Sequence, residues 1–265
     1  MAKIGFIGMG NMGFAILQGL LKLYRPEDLL FTDVNQERME TVKKQTGVDF
    51  VESNAECANQ SRIVVLAVKP QYYDAVLKNI KYAVKPEQIV ISIAPGITID
   101  SLVKKLGDGK RIVRAMPNTP ALLGEGMTGV TYDRGLFTEE EEQEIRAFFQ
   151  SFGRMEYVEE RLMSAVVCAS GSSPAYVYMF IEALADSAVR YGLPRDKAYE
   201  FAAQTVKGAA ELVLQTGKHP GELKDMVCSP AGTTIAGVAA LEEYGFRNAV
   251  LKANEACYEK CEAIK

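Results

Sequence analysis

Lys3-Ile4-Gly5-Phe6-Ile7-Gly8-Met9-Gly10-Asn11-Met12-Gly13 is the stretch from which the rest of this chain can be read. An apolar run of β-strand character leads straight into Gly8-x-Gly10-x-x-Gly13, and Phe14, Ile16, Leu17, Leu20 and Leu21 follow at helical spacing. The glycines therefore lie on a strand-to-helix turn. Gly8 allows the tight turn, Gly10 lets the backbone approach a pyrophosphate, and Gly13 lets the helix pack close to the strand. The helix aims its free N–H groups at the phosphates, and Ile7, Met9, Asn11 and Met12 complete the loop. Asp33 lies twenty residues past Gly13 and closes a second strand, Leu29 to Thr32, where an acidic side chain can accept from a ribose hydroxyl. A glycine-rich turn in some other α/β protein would not need strand, helix and spaced acid together, so a dinucleotide site is expected.

The 265 residues, 48% of them hydrophobic, are enough for one or two domains with a large core. A formal net charge of −4 without Lys/Arg clusters leaves no footprint for nucleic acid or an anionic membrane. A small, anionic metabolite is the better partner. No uninterrupted apolar run approaches the roughly 18 residues of a membrane span. The amino-terminal segment reads as a core strand rather than a signal peptide, so a cytoplasmic protein is expected. The cysteines, Cys57, Cys168, Cys228, Cys257 and Cys261, are odd in number and scattered, as reduced thiols are. Cys257 and Cys261, one turn apart, read as helix residues rather than a metal pair, and no metal is expected. His219 is the sole histidine and sits in a Lys218-His219-Pro220-Gly221 turn, which argues against histidine-based catalysis.

Continuous apolar runs at Ile63 to Val68, Ile89 to Ala94 and Arg111 to Ala115 read as strands of a parallel sheet buried on both faces. They stop at Lys69-Pro70, Pro95-Gly96 and Met116-Pro117-Asn118-Thr119-Pro120. In an open parallel sheet ligands bind beyond the carboxyl ends of strands, so the Gly8, Lys69, Pro95 and Asn118 loops should line one crevice. Thr138-Glu139-Glu140-Glu141 is a capping box opening a helix through Phe149, and Arg154 to Val158 supplies a last strand. From about Glu160 the pattern is helical only: Ser173 to Gly192, Arg195 to Thr216, Pro220 to Val227, a helix from near Gly232, and Phe246 to Ile264. The expected domains are 1–160 and 161–265. Wide apolar faces such as Tyr176-Val177-Tyr178-Met179-Phe180-Ile181 suit a homodimer interface.

Reducing a carbonyl calls for a proton donor beside the hydride acceptor, commonly His, Lys or Tyr. No lysine occurs between Lys110 and Lys197, so a hydroxyacid dehydrogenase with a lysine on its first interdomain helix finds no candidate. A protonated C=N bond is already electrophilic, and positioning plus a hydroxyl hydrogen bond can suffice. Cys228-Ser229-Pro230-Ala231-Gly232-Thr233-Thr234-Ile235-Ala236 offers small residues and paired hydroxyls at a helix start, an anion seat suited to a carboxylate. On spacing alone, Thr233 or Thr234 serves equally well as a plain helix N-cap.

Over essentially its whole length the chain resembles the pyrroline-5-carboxylate reductases. The resemblance is carried by Gly5 to Met12, Leu66-Ala67-Val68-Lys69-Pro70-Gln71, Arg114 to Pro120, Ser170-Gly171-Ser172-Ser173-Pro174-Ala175-Tyr176 and Ser229 to Thr234. It implies an α/β fold: an amino-terminal Rossmann-like, mostly parallel sheet domain and a carboxy-terminal all-helical dimerisation domain, with dimers often assembled into decamers. It implies hydride transfer from NAD(P)H to 1-pyrroline-5-carboxylate, giving L-proline. Asn54, Ala67, Val68, Lys69 and Pro70 would contact the cofactor, Ala94 would lie at the nicotinamide edge, and Asn118 would lie near the nicotinamide. Gly232, Thr233 and Thr234 would hold the substrate carboxylate across the dimer interface, and Thr234 would hydrogen-bond the ring nitrogen. Four positions depart from the pattern: Val34 replaces a basic residue, Pro95 an alanine, and Ser173 and Ala231 glycines. NADPH is usual for the family. Asp33 favours NADH, while Asn35 and Asn54 offer themselves to a 2′-phosphate, so the sequence leaves the cofactor open.

Overall fold

The computed structural model describes residues 2–263. Along its first part strands and helices alternate: β1 (Ala2–Ile7), α1 (Asn11–Leu20), β2 (Leu29–Thr32), α2 (Gln36–Thr46), β3 (Asp49–Phe50), α3 (Asn54–Gln60), β4 (Ser61–Leu66), α4 (Tyr73–Ile80), β5 (Ile89–Ser92), α5 (Ile99–Leu106) and β6 (Arg111–Met116). β7 (Gly126–Tyr132), α6 (Glu139–Gln150) and β8 (Gly153–Tyr157) follow. The eight strands form one sheet in the order β3-β2-β1-β4-β5-β6-β7-β8. Strands β1 to β6 pair in parallel, whereas β7 runs antiparallel to β6 and parallel to β8.

The unbroken apolar runs have a direct cause. On β4, Ile63 and Val65 join an apolar cluster with α1 and α6, while Val64 and Leu66 join another with α4 and α5. Both faces of the strand are covered, so alternation with polar residues would bury unpaired groups. Helix α6 starts on the expected capping box: the Thr138 hydroxyl accepts from the Glu141 N–H, and the Glu141 carboxylate accepts from the Thr138 N–H. The first two runs end earlier than their composition suggests, so that Ala67, Val68, Ile93 and Ala94 belong to loops at the strand tips, while the third extends one residue further, to Met116.

Strand β7 carries no clear sequence signal because two of its seven residues are glycine. Gly129 is demanded by packing: a Cβ there would come within 2.7 Å of the Val166 side chain. Helix α4 has no side-chain cap, yet Tyr73, Val76, Leu77 and Ile80 bury one face of it, whereas α5 starts on Thr98, whose hydroxyl accepts from the Ser101 N–H at 3.1 Å, and ends at Gly107.

After β8 come α7 (Met163–Val166), a π turn over Val167–Gly171, α8 (Ser173–Arg190), α9 (Arg195–Thr216), α10 (Pro220–Met226), α11 (Thr233–Glu243) and α12 (Phe246–Glu262). Ile264, the expected end of the last helix, lies outside the described residues. By contact density the chain divides into Met1–Ser172 with Cys257–Lys265, and Ser173–Ala256. The division falls at Ser173 because residues 160–172 are tied to the sheet. Glu160 pairs with the buried Arg114 of β6 at 2.9 Å and accepts from the Ile99 N–H at 2.8 Å.

In the second unit α8 and α9 meet through Ala185, Ala198 and Ala202, its buried apolar side chains. Small residues let the two helices approach closely, yet they bury little surface. Tyr176, Met179, Phe180, Leu241, Phe246 and Val250 instead line an open apolar cavity of about 460 Å³. The helical path Glu160–Arg190 is, by length and composition, long and apolar enough to cross a membrane. The path is not an uninterrupted apolar run, because Ser164, Ser170, Ser172 and Ser173 break it without adding charge.

Candidate active site

The glycine turn acts at the carboxyl end of β1, which lies between β2 and β4. Gly8 has φ +95°, and its N–H donates to the Thr32 carbonyl at 2.9 Å. A Cβ on Gly8 would lie 2.8 Å from the Ala67 carbonyl oxygen, and one on Gly13 would lie 2.7 Å from the Gly8 carbonyl oxygen. A Cβ on Gly10 would meet no atom within 4 Å, so this edge of the loop is open. Gly10 is also the N-cap of α1 and brings no side-chain bond to it, which leaves the first-turn N–H groups at Asn11 and Met12 for an anion. Turn, close packing and open approach thus fall to Gly8, Gly13 and Gly10 as the spacing implies.

Beside this loop lies a cavity of about 310 Å³. It brings together Ile7, Gly8, Asp33, Asn54 and Val68 from the sequence candidates, with Val34 and Tyr72. The Asp33 carboxylate accepts from the Met9 N–H at 2.6 Å and from the Asn35 N–H at 3.0 Å. Asn35 is the N-cap of α2, its side-chain oxygen accepting from the Arg38 N–H at 3.0 Å. Arg38, which the sequence reading passes over, donates from Nε to the Met9 carbonyl at 2.9 Å and lies over the Phe14 ring at 4.8 Å. Asp33 and Arg38 therefore clamp Met9 from its two polar ends.

The remaining loops line the tips of β4, β5 and β6. Lys69 is exposed and Pro70 opens a 3₁₀ turn, while Ala94 is buried just before Pro95 and Gly96. Tyr73, also passed over in the sequence, donates to the Leu66 carbonyl at 3.0 Å and shares a 3.0 Å hydrogen bond with the Ser92 hydroxyl. It ties the ends of β4 and β5 together, and burial pushes its phenol above the ordinary value. Asn118 is 8% exposed. Its Nδ2 donates to the Ser170 carbonyl at 3.0 Å and its Oδ1 accepts from the Met127 N–H at 2.8 Å. The side chain expected near the nicotinamide thus joins the β6 tip to β7 and to the π turn.

In the second unit, the Cys228–Thr234 segment leads into α11. Gly232, not a threonine, is the N-cap, and it provides no side-chain cap bond. Thr233 and Thr234 occupy the first helical positions, exposed, and their hydroxyls have no hydrogen-bond partner among the described residues. Ala231 holds φ 59°, the left-handed region that glycine supplies without strain. His219 is a local cap, Nδ1 accepting from the Gly221 N–H at 3.0 Å. Among the described residues no group of three or more His, Cys, Asp or Glu is placed to hold a metal ion. Burial pushes the Cys57 thiol up to about 12, which leaves it inert.

A doubly wound sheet with a glycine cradle and an acid at the end of β2 defines a dinucleotide-binding domain, the class to which nicotinamide-dependent oxidoreductases belong. Residues 160–264 match the family model for pyrroline-5-carboxylate reductase dimerisation, and residues 3–96 that for NADP oxidoreductase, coenzyme F420-dependent. The chain is 48% identical to the pyrroline-5-carboxylate reductase of Escherichia coli K12, over 99% of this chain and 98% of that one, and 44% identical to that of Methanosarcina acetivorans, over 96% of each. It superposes on the Plasmodium falciparum pyrroline carboxylate reductase crystallised with NADP bound at a TM-score of 0.89 and 34% identity, covering 99% of this chain and 98% of that one. The chain belongs to the pyrroline-5-carboxylate reductase family. Its reaction is the reduction of 1-pyrroline-5-carboxylate in proline biosynthesis, with a nicotinamide cofactor.

Proposed function

We propose that this chain carries out that reduction with the Gly232–Thr234 segment as the seat of the substrate carboxylate and Thr234 as the partner of the imine nitrogen. The observation that carries this reading is the uncapped start of α11. Gly232 contributes no side-chain acceptor, so the first-turn N–H groups and both threonine hydroxyls are free for an anionic, basic-nitrogen ligand. When bound, the nicotinamide supplies the hydride that ends on the imine carbon. The Gly8–Gly13 turn and the Ala67–Pro70 loop orient it, with Asn54 and Ala94 bordering the same crevice. Asn118 keeps the β6 tip in place. The substrate acid is seated by backbone donors, and the Thr234 hydroxyl bonds the nitrogen as that atom becomes a secondary amine. No imidazole takes part.

Kinship with the reductases named above also supports a homodimer in which the threonine segment of one subunit serves its partner's crevice. Assembly of dimers into a decamer and a cytoplasmic location belong to the same proposal. Thr234→Ala is expected to lower kcat/KM for the imine by roughly 100-fold while leaving the cofactor dissociation constant within about twofold, and Thr234→Ser to recover most of the loss. Steady-state kinetics beside a cofactor titration read both. An unchanged kcat/KM removes Thr234 from the reaction.

A further inference from the structure

We infer that Asp33 makes this protein select NADH over NADPH, with Arg38 acting as a brace for the glycine loop rather than as a receptor for a 2′-phosphate. The inference rests on the dinucleotide reading of the crevice and goes beyond it by naming the cofactor. A Rossmann-type crevice distinguishes the two cofactors at the adenosine ribose, by an acid that accepts from the 2′-hydroxyl or by an arginine that pairs with the 2′-phosphate. This chain has both residue types near that point, so the sequence alone does not choose.

The geometry does choose. Of the residues lining the cavity beside the loop, among them Gly8, Asp33, Val34, Asn54, Val68 and Asn79, Asp33 alone carries a charge. It is held by two backbone donors, Met9 at 2.6 Å and Asn35 at 3.0 Å, and among the described residues no lysine or arginine forms an ion pair with it. A carboxylate fixed in this way retains acceptor capacity for a ribose hydroxyl. Against a phosphate, which carries about −1.5 to −2 charges at neutral pH, it sets like charges side by side with no cation lining the cavity.

Arg38 does not line the cavity. Its Nε is spent on the Met9 carbonyl and its guanidinium face lies over the Phe14 ring. Val34, the second position after β2, has a fully exposed apolar side chain that offers no donor. Asn35 has its side-chain oxygen committed to capping α2.

The test is a fluorescence titration of the full-length protein with NADH and with NADPH, repeated on Asp33→Asn and Arg38→Ala, beside kcat/KM for each cofactor with the imine. The wild type is expected to bind NADH at least about tenfold more tightly. Asn at position 33 can still accept from Met9 but carries no charge, so Asp33→Asn should narrow the gap about tenfold, mainly by tighter NADPH binding. Arg38→Ala should weaken both cofactors alike and leave their ratio unchanged. Equal or tighter NADPH binding by the wild type overturns the inference, as does a selective loss of NADPH in Arg38→Ala. Tight NADPH binding with active imine reduction sinks only the NADH preference, whereas binding of neither cofactor sinks the crevice reading and the preference together.

Discussion

Ala231 shows what a single residue discloses at this site. Among the described residues it is the one non-glycine with positive φ, and it precedes the Gly232 cap of the proposed substrate seat. A Cβ in the left-handed region costs roughly 1–2 kcal/mol, and strain of this kind persists where surrounding structure dictates the loop. Ala231→Gly should therefore raise the free energy of unfolding by about 1 kcal/mol, after the added freedom of the unfolded chain is counted. Urea midpoints at one protein concentration check this; a lowered midpoint would show that the loop does not strain its alanine. Thr233 and Thr234 make the complementary point. Their spacing permits capping, but the cap position falls to Gly232, so their hydroxyls stay available for chemistry.

At the scale of elements, the turn between β1 and α1 separates two uses of glycine that the motif lists together. A Cβ at Gly13 meets the Gly8 carbonyl oxygen at 2.7 Å, backbone against backbone, so neither partner can swing away. Gly13→Ala is expected to cost about 1–3 kcal/mol of stability and to displace α1 from the strand. Nothing lies within 4 Å of the same atom at Gly10. Gly10→Ala should keep stability within about 0.5 kcal/mol of wild type and raise the KM for cofactor several-fold. Thermal unfolding beside cofactor titration distinguishes the two, and similar stability loss in both variants would contradict the assignment. Tyr73 links elements in another way, fastening the β4 tip to the β5 tip through one phenol.

The whole molecule is asymmetric in how it is stabilised. The sheet unit has two large apolar clusters, one on each face, whereas the buried apolar side chains of residues 173–256 are three alanines among the described residues. Tyr178, Met179, Phe180 and Phe201 are exposed, and they fall within residues 160–264, which match the family model for pyrroline-5-carboxylate reductase dimerisation. The proposed arrangement, in which the substrate seat of one subunit serves its partner's crevice, is tested by mixing two variants that are each deficient in activity. Refolding equal amounts of Gly10→Trp, deficient in cofactor binding, and Thr234→Ala should restore about a quarter of wild-type activity, because random pairing makes half the dimers hybrid and each hybrid keeps one intact site. Activity that stays at the level of the separate variants would place each site within one subunit.

Much of this was legible in the chain itself, because local rules wrote it. Period and composition specified β1, β4, β5, β6, the capping box of α6 and the order of the carboxy-terminal helices, and the glycine spacing located the dinucleotide turn. Strand β7 was not legible: its pairing is non-local, and its glycines answer to Val166 across the packing interface rather than to any local preference. Tertiary structure alone decided which polar atoms were still free. It spent both ends of the Asn118 amide on Ser170 and Met127, the Asn35 oxygen on α2 and the Arg38 Nε on Met9, and it left Asp33 facing the cavity. Residue types state which hydrogen bonds are possible. Only the packed chain, where buried donors and acceptors must be paired, determines which remain for a ligand.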